Sequence, residues 1–290
     1  MTFFELVKIV LDRLCPEYTK EFDCSDLNKK IAKEIRRLSS RYTRLGKQSG
    51  VSIDYRDPIT RMAYLYMYVA SHSDYLVQIL GEFADRKGKI FEGKTIQISC
   101  LGSGPGSDIL AVLKFLEERE TETVKEVICR SYDKEDAWKH TRGKIFGSME
   151  GRIKLVRYAQ SWGLVDQESW TDRFGRTDLF TMSYFVSEVY STDGEGLAAG
   201  FWERLFQRAK PGALFLYNDN SFEELDSYFD KQWQTAGMEC LLSDERYMTP
   251  RVHEKKAALL DEYLDKFDKM NPKLKSKVTY RILRKPFARK

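Results

Sequence analysis

Residues 101–108 read LGSGPGSD and follow the run KTIQISC. Three glycines at alternate positions, with a proline before the last, suit neither a helix interior nor a strand, because each adds backbone freedom and removes a packing group. The run Thr95–Leu101 reads as a buried strand, and Ser107–Arg119 places Ile109, Leu110, Leu113 and Leu116 on one helical face. A glycine-rich turn joining such a strand to such a helix directs the chain to an α/β sheet whose first ligand-facing loop is this turn. Gly102 is expected to take positive φ, Gly104 to admit a ligand against its backbone, and Gly106 to bring helix and strand close. Pro105 stiffens the turn, and Ser107 or Asp108 caps the free amides of the helix.

Further strands are expected at Val127–Tyr132, Ile153–Tyr158, Asp178–Met182, Ala213–Asn218, Met238–Leu242 and Val278–Leu283. Helices are expected at Ala137–Phe146, at Leu197–Ala209 and in SFEELDSYFDKQWQTAG. This alternation predicts a mostly parallel sheet of seven strands with helices on both faces. A charged helix is inserted over 251–270, before the last strand. Residues 1–92 read instead as a helical lobe, joined without a flexible linker to an α/β domain over 93–290. Within 25–47, Leu27, Ile31, Ile35, Leu38, Tyr42 and Leu45 form one apolar stripe, and the other face is basic. A second helical block starts at Asp57 or Pro58 and crowds Tyr64, Tyr66 and Tyr68 together.

Hydrophobic residues at 42% and aromatics at 13% exclude extended disorder. A net charge of +4 is too small to assign a nucleic-acid binder by charge alone. Five scattered cysteines without a CxxC pair indicate neither a disulfide framework nor a zinc site, and fit a reducing compartment. No acidic or histidine cluster suggests a metal. The opening MTFFELVKIVLDRL carries charges at Glu5, Lys8 and Asp12 and reads as an amphipathic helix. No uncharged run is long enough to span a membrane, so the expected location is cytoplasmic, with nuclear as the alternative.

Two ligand classes compete for the turn. A dinucleotide site uses GxGxxG, whereas here the third glycine comes one residue early and Ser107 follows it. LGSGPG instead resembles the first motif of the class I S-adenosylmethionine-dependent methyltransferases. That resemblance implies a Rossmann-like fold and assigns Leu101, Gly102, Ser103, Gly104 and Gly106 to the cofactor. The family's usual acid, two residues before the first glycine, is Cys100 in this chain, and Asp108 is the nearby carboxylate that compensates. By the same resemblance, Asp133 at the end of the second strand accepts the ribose hydroxyls, with Glu135 and Asp136 as alternatives. Tyr132 or Trp138 packs on adenine, and Gln160, Ser161 or Asp166 lies near its amino group. RTDLFTMSYFVSEVY resembles the fourth motif and places Ser183 at the cofactor, with Tyr184 and Glu188 at the acceptor.

In this chemistry the protein aligns acceptor, methyl and sulfur, and a base is needed only where the acceptor must lose a proton. Glu188, Tyr184 and, from the lobe, His72 are the candidates. The tetrapeptide typical of methylation at exocyclic amines of bases is absent after the fourth strand. The acceptor is left open between a small molecule, with Tyr64, Tyr66 and Tyr68 lining a pocket under the lobe, and RNA or protein. In the second case the basic face of helix 25–47 and the tail RKPFARK grip phosphates or acidic groups. A non-catalytic S-adenosylmethionine sensor or scaffold is the alternative from another class, and a nicotinamide-dependent oxidoreductase stands behind it.

Overall fold

The computed structural model of the chain describes residues 1–20, 23–45, 47, 50–161, 171–193, 196, 198–258 and 260–287. Its centre is one sheet of seven strands: β1 (Thr95–Leu101), β2 (Glu126–Asp133), β3 (Lys154–Ser161), β4 (Leu179–Ser183), β5 (Leu214–Asn220), β6 (Glu239–Met248) and β7 (Ser276–Arg284). They lie in the order β3-β2-β1-β4-β5-β7-β6. The first five run parallel, and β7 is antiparallel to both β5 and β6. This is the expected Rossmann-like arrangement, mostly parallel and covered on both faces. Strand alternation sets the two cores: Leu216 and Ile282 pack on one side, Phe215, Tyr217 and Leu283 on the other.

The first core is shared with the N-terminal helices. These are α1 (Phe3–Tyr18), α2 (Cys24–Leu45), α3 (Pro58–Tyr64) and α4 (Ala70–Lys87), the last two joined without a break by a π-helical turn over Leu65–Val69. The stripe read from α2 is buried as expected, from Leu27 to Leu45. Helix α5 (Ser107–Arg119) packs in the same layer, and α6 (Trp138–Phe146) follows β2. The opposite face carries α8 (Ala198–Arg208) and α9 (Glu223–Thr235), through Phe201, Trp202, Leu225 and Phe229. Between β4 and α8 lies α7 (Val186–Thr192), a helix that the sequence reading did not place.

Two further departures have local causes. The single helix expected over 251–270 is two short ones, α10 (Val252–Ala257) and α11 (Asp261–Lys266). The break at Leu260 lets both ends reach α1: Glu254 accepts the Phe3 and Phe4 amides, and the Tyr263 hydroxyl donates to Asp12 Oδ1 at 2.7 Å. Strand β6 runs to Met248, six residues past its expected end at Leu242, because an edge strand tolerates the polar run SDERY wherever β7 supplies its ladder. Among the described residues no helix is long and apolar enough to cross a membrane.

Candidate active site

The carboxyl ends of β1, β2 and β4 lie side by side, and the glycine turn leaves the first of them. Gly102, Gly104 and Gly106 have φ of 63°, 46° and 95°, so the turn is left-handed at each glycine. A Cβ at Gly106 would lie 2.9 Å from the Phe146 ring at the end of α6. The close approach this glycine permits is thus to a neighbouring helix and not, as expected from the sequence, between α5 and its strand. A Cβ at Gly104 would meet nothing nearer than Trp138, at 3.9 Å.

The turn is gripped from two sides. Asp133 Oδ2 accepts the Gly104 N–H at 2.7 Å, and Oδ1 accepts the Glu135 N–H at 2.8 Å. From α6, Arg142 donates to Ser103 Oγ at 2.9 Å and to the Gly104 carbonyl at 2.8 Å. Burial pushes the Asp133 carboxyl above its usual range, and the two backbone N–H groups and Arg142 pull it back. A carboxylate has roughly four lone-pair positions, and the two backbone bonds leave Asp133 with acceptor capacity to spare.

Gly102, Gly104 and Pro105 form one wall of this cleft, with Asp133 and Lys134 beside them. Ser183, Tyr184 and Glu188 also line it. Leu101, Ser103, Gly106 and Asp108 do not line it. Leu101 is core, Ser103 is bound to Arg142, and Gly106 faces Phe146. Asp108 is buried beside the Cys100 thiol, accepts the Thr181 hydroxyl, and is pushed up by desolvation. The cap of α5 is therefore Gly106 rather than a side chain of Ser107, although Asp108 Oδ1 accepts the Ile109 amide at 3.0 Å. The Cys100 and Cys129 sulfurs lie 3.8 Å apart on neighbouring strands.

Tyr184 has φ of 54°, an uncommon conformation for a residue with a side chain. It is held by its N–H donating to the Asn218 carbonyl at 2.9 Å and by its ring stacking on His72, with centroids 3.8 Å apart. Glu188, in the first turn of α7, accepts the Tyr55 hydroxyl at 3.2 Å, and burial raises its pKa to about 7. Burial and the nearby Lys273 hold His72 well below its usual pKa, so its imidazole is neutral.

Rings from the lobe, together with Trp138 of α6, close the cleft. Tyr55, Tyr64 and Trp138 lie 5.2–5.8 Å apart, and the Tyr42 and Tyr55 hydroxyls are 2.6 Å apart. The π-helical turn lets Tyr64, Tyr68 and His72 follow one another on one side. Of the three tyrosines expected to line a pocket, only Tyr64 lines the cleft. Tyr68 packs behind it on Tyr42 and His72, and Tyr66 points away, packing on Phe267 and donating to the Met270 carbonyl. Tyr132 packs on Phe174 in the second core. The side chains of Gln160 and Ser161, and Asp166 entirely, lie outside the described residues.

Sequence reading missed Arg142, Lys134, Tyr42 and Tyr55 as site residues. Tyr42 carried only a core signal, and Arg142 only that of a charged helix face. On α2 the basic face is solvent-exposed; Arg36 pairs with Asp268 and Arg37 with Glu34. Asp74, His253 and Glu254 also converge, with ligand atoms within 4.8 Å of one another. Asp74 is bound there by Arg251, through the backbone N–H at 2.7 Å and Nε at 2.6 Å, and Glu254 caps α1. These groups already serve an ion pair and a helix cap.

No protein-family model matches the chain, and no curated protein does. Solved structures do. A Pyrococcus horikoshii protein named for RNA methylation is 16% identical, with a TM-score of 0.43 over 88% of this chain and 98% of its own. A Methanosarcina mazei protein named as an S-adenosylmethionine-dependent methyltransferase gives 10% identity and a TM-score of 0.44, over 67% of this chain and 94% of its own. The N-methyltransferase NodS of Bradyrhizobium japonicum gives 6% and 0.41, over 74% and 97%. Likeness of this degree concerns the fold; what the cleft does follows from its own residues.

Proposed function

We propose that the chain binds S-adenosylmethionine in the cleft above the glycine turn and transfers its methyl group to an acceptor approaching the end of β4. The observation that carries this reading is the Gly104–Asp133 bond, which places a ligand-accessible glycine and a carboxylate with spare acceptor capacity at adjacent strand ends. When bound, S-adenosylmethionine supplies a methyl group on a sulfonium, which becomes a neutral thioether as the acceptor heteroatom takes the carbon. Asp133 holds the ribose hydroxyls, and Arg142 keeps the turn rigid from behind. Tyr55, Tyr64 and Trp138 exclude water. Glu188 takes the proton that the acceptor releases, since a carboxyl with a pKa of about 7 is suited to give and take protons near neutrality. The free thiols of Cys15, Cys100, Cys129 and Cys240 fit a cytoplasmic or nuclear setting.

Calorimetric titration with S-adenosylmethionine, S-adenosylhomocysteine and NAD tests the cofactor. The expected result is binding of the first two, weakened roughly tenfold in Asp133→Ala. Binding of NAD alone overturns the reading. Cys100, in place of the usual acid, supports a second reading as a non-catalytic sensor. Cofactor binding without methyl transfer to any fraction of a cell extract would favour it.

A further inference from the structure

We propose that Tyr42, on α2 of the N-terminal lobe, is a positioning residue of the transfer step: acting through Tyr55, it holds Glu188 as a proton acceptor. This rests on the methyl-transfer reading. All three side chains line the cleft. The Tyr55 hydroxyl lies 3.2 Å from Glu188 Oε1, and the Tyr42 and Tyr55 hydroxyls are 2.6 Å apart. An ionised carboxylate only accepts hydrogen bonds, so the one proton of the Tyr55 hydroxyl is directed at Glu188. In the shorter contact Tyr42 is therefore the donor. Hydrogen bonds in a chain polarise one another, so the second bond strengthens the first. A phenylalanine at position 42 would pack as well on Tyr68, whose ring centroid is 4.9 Å away. The hydroxyl of this buried residue adds nothing to that packing, and its role is the bond to Tyr55.

The backbone fixes the middle member of this chain of bonds. Ser191 lies three residues after Glu188 on α7 and so shares its side of the helix. Its Oγ accepts the Val51 N–H at 3.1 Å and donates to the Val51 carbonyl at 2.9 Å, and its own carbonyl accepts the Gly50 N–H at 2.7 Å. At the other end, Arg61 of α3 donates to the Tyr55 and Arg56 carbonyls, both at 2.7 Å. The segment that carries Tyr55 is thus tied to the helix that carries Glu188. Other titratable groups also act on Glu188: Asp133 and Lys134 where β2 ends, Asp219 near the end of β5, and Tyr64 of α3. The Tyr64 phenol is a second neighbour of the Tyr42 hydroxyl, so the route from Tyr42 to Glu188 has to be tested against it.

The test reads Glu188 directly. The full chain, labelled with carbon-13 at the glutamate carboxyls, is titrated by NMR, and the Glu188 signal is the one missing from Glu188→Gln. Each tyrosine change withdraws a bond that favours the ionised carboxylate, so midpoints should move upward. Tyr55→Phe is expected to raise the midpoint by roughly one to two pH units. Tyr42→Phe is expected to raise it by roughly 0.3 unit, and to add no further shift in the Tyr55→Phe background. The same order of midpoints should appear in transfer of labelled methyl from S-adenosylmethionine into a cell extract. If Tyr55→Phe fails to fold, Tyr64→Phe provides the comparison, and the Tyr42→Phe shift should survive in that background. A midpoint unchanged or lowered in Tyr42→Phe overturns the inference. So does a shift that persists without the Tyr55 hydroxyl or vanishes without that of Tyr64, because Tyr42 would then act by another route. Failure of wild type to bind S-adenosylmethionine, with the midpoints as expected, overturns the reading beneath it instead.

Discussion

Replacing Gly104 or Gly106 with alanine adds the same methyl group two residues apart and should give opposite phenotypes. At Gly106, with φ of 95°, the left-handed backbone costs about 1–2 kcal/mol for a residue with a Cβ. The methyl also lies 2.9 and 3.0 Å from two atoms of the Phe146 ring, an overpacking of about 1–3 kcal/mol. At Gly104 the backbone term is similar, but the nearest atom is 3.9 Å away, so no packing term is added. Thermal unfolding should therefore show Gly106→Ala losing about 5–10 °C and Gly104→Ala about 2–4 °C. Binding should rank them the other way. A methyl at Gly104 projects into the cleft and should weaken S-adenosylhomocysteine roughly ten- to hundredfold by calorimetry, while folded Gly106→Ala retains most affinity. If Gly104→Ala binds within about twofold of wild type, the turn is not the cofactor's cradle. If Gly106→Ala is no less stable than Gly104→Ala, the packing at Phe146 does not restrict the turn.

The pH behaviour is directional. Glu188, Asp219 and Glu254 each have a pKa raised to about 7 by burial, against 4.5 for an ordinary glutamate and 3.8 for an aspartate. Between those limits the folded chain holds protons that the unfolded chain has released, so stability falls as pH rises towards neutrality. Denaturant midpoints at about pH 5 should exceed those at about pH 7.5, and Glu188→Gln should shrink the difference; equal midpoints would contradict the assignments. Methyl transfer should rise with pH through a midpoint near 7. Tyr55→Phe should move that midpoint upward, because the Tyr55 hydroxyl bond favours ionised Glu188. A profile unchanged in Tyr55→Phe and Glu188→Gln would remove Glu188 from the chemistry. Glu254→Gln sets an amide donor against the Phe3 and Phe4 N–H groups and should cost about 1–3 kcal/mol in urea titration, without changing cofactor affinity.

The fold was legible because its signals are local. Apolar runs such as Thr95–Leu101 and VTYRIL needed only their own period to be read as strands, and the α2 stripe only its own spacing. Helix α7 was not, because VSEVY follows β4 after only two residues and its apolar positions match a strand as well as a short helix. Gly102, Gly104 and Asp133, which line the cleft, were legible because they sit at element ends. The stack of His72 on Tyr184 joins residues from separate halves of the chain, and no periodicity within either segment encodes it. Arg142 faced the same obstacle: a basic residue on a short helix carries no mark that its partner is Ser103.

The place of β7 has a consequence for synthesis. It is made after β6 yet lies inside the sheet, and β6 touches no other strand. While the ribosome is still producing residues 249–275, the segment of β6 has no ladder, and the Asn218 edge of β5 stands open. The nascent chain thus carries two unpaired strand edges until β7 emerges, a stage at which pairing with another chain competes with folding. A stop codon anywhere in that interval would cost the sheet two strands rather than one.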